Sequence, residues 1–222
     1  GTICASEQSI VTEYGISPQV EEELKNQGGY FLSQEQTERL SGFLLRANGT
    51  MNPQIVGKTA QKIADMAGIE IPPGTKLLIA RQDGRNVHKK NPYSREKLCP
   101  VLGYFEVENW QEACDLCIRI LQNEGAGHTM TLHTRNEEVV KEFALHKPVS
   151  RILVNTSGAL GGVGATTGLA PALTLGCGAV GGSATSDNIT PMNLINIRRV
   201  AYGLTELEDL RNQPGNSGQD EG

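Results

Sequence analysis

Residues 101–134, VLGYFEVENWQEACDLCIRILQNEGAGHTMTLHT, carry a strand, a helix and a second strand in succession. Val101–Val107 is a mostly apolar run of strand length. Asn109 with Glu112 supplies a helix start, and the helix runs to about Asn123 before Gly125 stops it. His128–Thr134 then alternates at a period of two, as a half-buried strand does. This order predicts a layered α/β fold, a largely parallel sheet flanked by helices.

The flanks continue the pattern. Upstream, Glu7–Tyr14 reads as a short buried strand. Ser17-Pro18 opens a helix with Ser17 as its cap and Gly28 as its stop. Ser33 with Gln36 makes a capping box for a second helix reaching Leu45. A third amphipathic run, Lys58–Ala67, ends at Gly68, and the turn Pro72-Pro73-Gly74 leads into the strand Lys76–Ala80. Residues 81–95 read as loop. Downstream, Thr134 with Glu137 predicts a further cap, its helix followed by Pro148 and the buried strand Arg151–Asn155. Ser157–Ser183 holds nine glycines and little periodicity, so an ordered loop is expected. Ile195–Tyr202 recovers a strand pattern, and residues 205–222 have the polar composition of disorder.

The 222 residues, 38% hydrophobic, suffice for a real core. No apolar run is long enough to span a bilayer. The net charge of −5 includes no basic block, which argues against nucleic acid and anionic membrane as partners. Five scattered cysteines without a secretory signal point to reduced thiols in a cytoplasmic setting.

Cys4 sits among small residues in Gly1-Thr2-Ile3-Cys4-Ala5-Ser6-Glu7-Gln8. A thiol on such a turn can meet a carbonyl without steric cover, and backbone N–H groups there can hold the oxyanion that forms; alternatively it is a small buried apolar residue. Glu7 reads as a capping carboxylate before a base. Gly162-Val163-Gly164-Ala165-Thr166-Thr167-Gly168 has the spacing G-x-G-x-x-x-G, not that of a dinucleotide fingerprint, and no helical pattern follows it. Cys114 and Cys117 lie inside a helix, where core packing is favoured over redox or zinc chemistry. His128 and His133 fall on opposite strand faces with no metal-ligand spacing to other side chains, so no metal is expected. Serine hydrolase, zinc protease and P-loop signatures are absent.

Four stretches resemble the aldehyde dehydrogenase superfamily, in the right order and over about residues 1–203. They are the Cys4 segment; Glu96-Lys97-Leu98-Cys99-Pro100-Val101, which is similar to a family E-x-F-G-P-V segment but departs from it at Leu98 and Cys99; Gly125-Ala126-Gly127-His128-Thr129; and Leu169–Gly178 continuing through Asp187-Asn188 to Asn196-Ile197. The second pair resembles the CoA-acylating acetaldehyde and propionaldehyde dehydrogenases. The wording Ile3–Gln8 is similar to bifunctional aldehyde–alcohol dehydrogenases and to microcompartment-associated enzymes, of which the latter are favoured.

The resemblance implies Cys4 as the nucleophile and Glu96 as the partner of the nicotinamide ribose hydroxyls. His128, Gly162 and Gly164 are candidates for the substrate channel. It implies NAD as cofactor, coenzyme A as acyl acceptor and a short-chain aldehyde as substrate. It further implies a catalytic domain over residues 1–203, with an oligomerisation strand near residues 185–203 and a polar tail over 204–222. The NAD-binding half of the family would lie upstream of residue 1, leaving this chain alone without the redox reaction. A homo-oligomer and a cytoplasmic location, with a microcompartment shell as a further partner, complete the expectation. A hydrolytic aldehyde dehydrogenase and a catalytically silent α/β assembly module are the alternatives.

Overall fold

Six strands in two parallel sheets frame the structure, a computed structural model that describes residues 1–211. The described chain divides into two units, residues 1–190 and the residues from Pro191 onward. In chain order the first unit contains β1 (Ser9–Glu13), α1 (Ser17–Asn26), β2 (Gly29–Phe31), α2 (Gln34–Leu44), α3 (Ala60–Ala67) and β3 (Leu77–Gln82). These are followed by β4 (Val101–Val107), α4 (Trp110–Asn123), β5 (Gly127–Leu132), α5 (Glu137–His146), β6 (Val149–Val154) and α6 (Gly158–Gly162). The larger sheet has the order β1-β4-β3-β2 with every pair parallel, and β5 pairs with β6, also parallel. The expected α/β class is therefore present.

Strand β4 lies between β1 and β3, with Ser9 opposite Gly103 and Leu78 opposite Val101. Its sequence is nearly all apolar because both faces are covered, and Val101, Tyr104 and Phe105 are buried. A first core gathers Leu40, Leu44, Ile55, Ile63 and Leu78 beneath α2 and α3. A second joins Phe105 and Val107 to Leu116 of α4, and a third joins Cys114 to Val139 and Phe143 of α5. The cysteines of α4 thus belong to packing: Cys114 is buried, and burial pushes the Cys117 thiol up to about 12.

Caps account for most helix ends. Ser33 accepts from the Gln36 N–H while the Gln36 side chain accepts from the Ser33 N–H, the expected capping box. Gly68 closes α3 in the left-handed conformation. Two expected caps are corrected. Ser17 is not the cap of α1; it lies within the helix with its hydroxyl turned inward, donating to Glu106 Oε1 at 2.6 Å and sharing a hydrogen bond with the Tyr104 hydroxyl. Asn136 caps α5 in place of Thr134, because its carboxamide oxygen accepts from the Glu138 N–H at 2.9 Å. Strand β2 was not expected; three residues carry too little pattern to announce it.

Residues 157–190 are largely irregular, as expected for Ser157–Ser183, apart from α6 and an isolated bridge between Leu175 and Asn188. The second unit holds a short 3₁₀ turn at Pro191–Leu194 and the helix α7 (Leu207–Arg211). Residues 195–202 form no strand: among the described residues nothing pairs with them, and a strand needs a neighbour for its N–H and C=O groups. The helix over 207–211 corrects part of the expected disordered tail, whose remainder, residues 212–222, lies outside the described residues. No described helix is long and apolar enough to cross a membrane.

Candidate active site

Parallel pairing of β1 with β4 sets the site. Neighbouring parallel strands start at the same edge, so the segment before β1, with Cys4, and the segment before β4, with Glu96, arrive side by side. The Ser6 N–H donates to the Ile3 carbonyl at 2.8 Å and closes a tight turn that leaves Cys4 exposed while Ala5 is buried. A thiol at the tip of a turn, next to free backbone donors, is the arrangement nucleophilic attack on a carbonyl needs.

Gln8 and Lys97 join the two segments. The Lys97 N–H donates to Gln8 Oε1 at 2.8 Å, and Gln8 Nε2 donates back to the Ser6 carbonyl at 3.2 Å. The Lys97 ammonium is buried and donates to the carbonyls of Arg95 at 2.6 Å and Gln8 at 3.1 Å, with those of Tyr93 and Pro92 at 3.4 and 3.5 Å. Burial pushes this group down to about 8. Leu98 beside it holds a left-handed φ of 51°, costly for a branched side chain and kept by its surroundings. Glu96 is exposed; desolvation and the nearby Glu124 carboxylate hold its carboxyl above the usual range. Buried Cys99 has its thiol pushed up to about 11 by desolvation.

The glycine-rich loop closes on the Cys4 turn from another direction. The Gly158 N–H donates to Glu7 Oε1 at 2.7 Å, so Glu7 acts as a capping carboxylate. A Cβ at Gly158 would lie 2.2 Å from the Ala5 carbonyl oxygen, and one at Gly162 would lie 3.1 Å from the Ala5 Cβ. Only glycine allows the approach at 158. Gly162 therefore packs beside the Cys4 turn, whereas Gly164, at φ +82°, meets Leu169 and Ala170 of its own loop. After α6 the next helical element among the described residues is the 3₁₀ turn at Pro191–Leu194.

His128 stands on β5, its Nδ1 3.0 Å from the Thr129 hydroxyl; burial and the Arg151 charge lower its pKa. Arg151 on β6 is a residue the sequence reading missed, as is Lys97. Its guanidinium donates to Asn188 Oδ1 at 2.9 Å and to the carbonyls of Ser186 and Asp187. Asn188 in turn donates to the carbonyls of Gly162 and Ala170. Arg151 is 5% exposed, and Cys4 and Cys177 both lie within its electrostatic reach. A Cβ at Gly127 would strike Gly181 and the Cys177 carbonyl, so the Cys177 loop rests against the start of β5. Contacts thus join the Cys4 segment to the Glu96 segment through Gln8 and Lys97, and the start of β5 to the Cys177 loop, while Arg151 and Asn188 tie β6 to residues 186–188 and to Gly162 and Ala170. A charged residue inside an apolar strand was the available signal.

Comparison with known proteins places this arrangement in a class. No protein-family model matches the chain. It is 58% identical to a probable aldehyde dehydrogenase from Listeria monocytogenes, whose crystal structure it matches with a TM-score of 0.90 over 95% of this chain and 46% of that one. It is 45% identical to an acetylating aldehyde dehydrogenase from Geobacillus thermoglucosidasius, with a TM-score of 0.88 over 93% of this chain and 45% of that one. It is 34% identical to the acetylating succinate-semialdehyde dehydrogenase of Clostridium kluyveri over 91% of this chain and 44% of that protein. The fold is that of the aldehyde dehydrogenases. Within them, the chain is homologous to part of the CoA-acylating, or acetylating, branch. It spans from about a quarter to somewhat under half the length of the curated relatives it matches, 23% to 44%.

Proposed function

We propose that this chain carries the nucleophile of an aldehyde dehydrogenase that uses coenzyme A as acyl acceptor. The observation that supports it most is the exposed Cys4 turn clamped beside the Glu96 segment, in a chain homologous to acetylating enzymes. In this reading the Cys4 thiolate attacks a short-chain aldehyde. The resulting oxyanion is held by backbone N–H groups of the turn, and hydride passes to a nicotinamide dinucleotide, NAD or NADP. The acyl-thioester left on Cys4 is then taken by the CoA thiol. Glu96 is placed at the nicotinamide ribose, His128 and Gly162 at the substrate approach; Gly164 shapes the loop behind it.

The chain alone is proposed to lack the redox reaction, because it spans less than half the length of its relatives. Residues 1–203 are read as one functional portion whose segment near 185–203 joins a second copy. A bacterial microcompartment rests on the wording Ile3–Gln8 alone. The test is the protein expressed from its full reading frame, assayed with propionaldehyde, nucleotide and coenzyme A. CoA-dependent nucleotide reduction, with acyl-CoA as product and an acylated Cys4 peptide when CoA is withheld, supports the reading. A carboxylic acid formed without CoA assigns the hydrolytic branch instead.

A further inference from the structure

We propose that Lys97 is a positioning residue, whose buried ammonium locks the Cys4 turn to the Glu96 loop. The proposal rests on the reading above only for what Cys4 and Glu96 do, not for the clamp. Lys97 is 2% exposed, and no ion pair to its ammonium is recorded among the described residues. A buried charge is costly unless its donors are filled. Here backbone carbonyls fill them: Gln8 on the nucleophile side, and Pro92, Tyr93 and Arg95 on the cofactor side. A core position would be served more cheaply by methionine. What lysine adds is a cation that draws carbonyls from two chain segments to one point.

The surroundings make the clamp two-sided. Gln8 Oε1 accepts the Lys97 backbone N–H while the Gln8 carbonyl accepts the Lys97 ammonium, so one residue is gripped at both ends by another. Gln8 Nε2 extends the link to Ser6, inside the Cys4 turn. On the far side the grip reaches the carbonyl of Arg95, the neighbour of Glu96. The ionisable groups within electrostatic reach of the Lys97 ammonium are the Cys99 thiol, Glu124, Glu96 and Arg95.

The experiment is site-resolved iodoacetamide labelling in the protein expressed from its full reading frame, for Lys97→Met, Gln8→Leu and the double variant. Cys4 labelling is expected to fall roughly ten-fold in each single variant, as for a displaced nucleophile. The double variant should fall little further, because both residues serve one clamp. Cys117 labelling should stay unchanged, which separates a local shift from general loosening. Gln8→Leu keeps the buried cation and reports even if Lys97→Met does not fold. Cys4 labelling within two-fold of wild type, a multiplying double variant, or a parallel rise at Cys117 overturns the proposal. If Cys4 slows in both variants while the wild type binds no nicotinamide dinucleotide, the clamp stands and the role given to Glu96 falls.

Discussion

At the scale of single residues, the site separates groups that react from groups that hold. Cys4 is exposed on its turn, and Cys4→Ser should reduce CoA-dependent aldehyde oxidation by at least about a thousand-fold, measured by steady-state turnover, since a hydroxyl in its place has no comparable nucleophilicity. His128 carries a testable pH signature. Its folded pKa is lowered by burial and by Arg151, so the unfolded chain binds a proton more readily below about 6.5. Wyman linkage then has the unfolding free energy present in full above that pH and lost as pH falls. Urea titrations from pH 8 to 5 should show this decline in the wild type and a shallower one in His128→Asn. An equal slope in both would mean that His128 is not the group responsible.

Elements show where reading the sequence succeeded and what escaped it. Strand β4 and helix α4 were legible because a long apolar run and a strong Asn109 cap leave little choice. Ser17 and Thr134 were plausible caps displaced by better partners: half-buried Glu106 and buried Tyr104 draw the first inward, and Asn136 lies closer to the start of α5. The Cys4, Glu96 and His128 segments were found by resemblance, but Arg151 and Lys97 were not, since their roles depend on contacts across the chain. Glycines give the sharpest test at this scale. Gly158→Ala would drive a Cβ into the Ala5 carbonyl and should cost about 1–3 kcal/mol while impairing Cys4 labelling. Gly42→Ala, in the last turn of α2 with open space around it, should instead stabilise by about 0.5–1 kcal/mol. Denaturant midpoints distinguish the two.

The whole molecule offers a separate prediction from its second unit. Leu194, Val200, Tyr202 and Leu204 are all more than four-fifths exposed, at 85%, 82%, 84% and 95%. Such a series of apolar side chains fits a segment covered by another copy. Ending the chain after Thr190 should convert an oligomer to monomers, read by light scattering at several concentrations. An unchanged mass would remove the oligomerisation proposal and leave the Cys4 site untouched.

The ladder between β1 and β4 acts as a ruler. Ser9 faces Gly103, and both approaches to the site are counted from that mark. Each residue of a strand advances the chain by about 3.3 Å. Inserting one residue between Cys4 and Ser9 would therefore shift the thiol by up to about that length, comparable to the whole separation of about 3–3.5 Å at which reacting atoms meet, while leaving the sheet intact. The number of residues between ladder and sulfur is thus a gauge length that fixes where the thiol stands relative to the sheet.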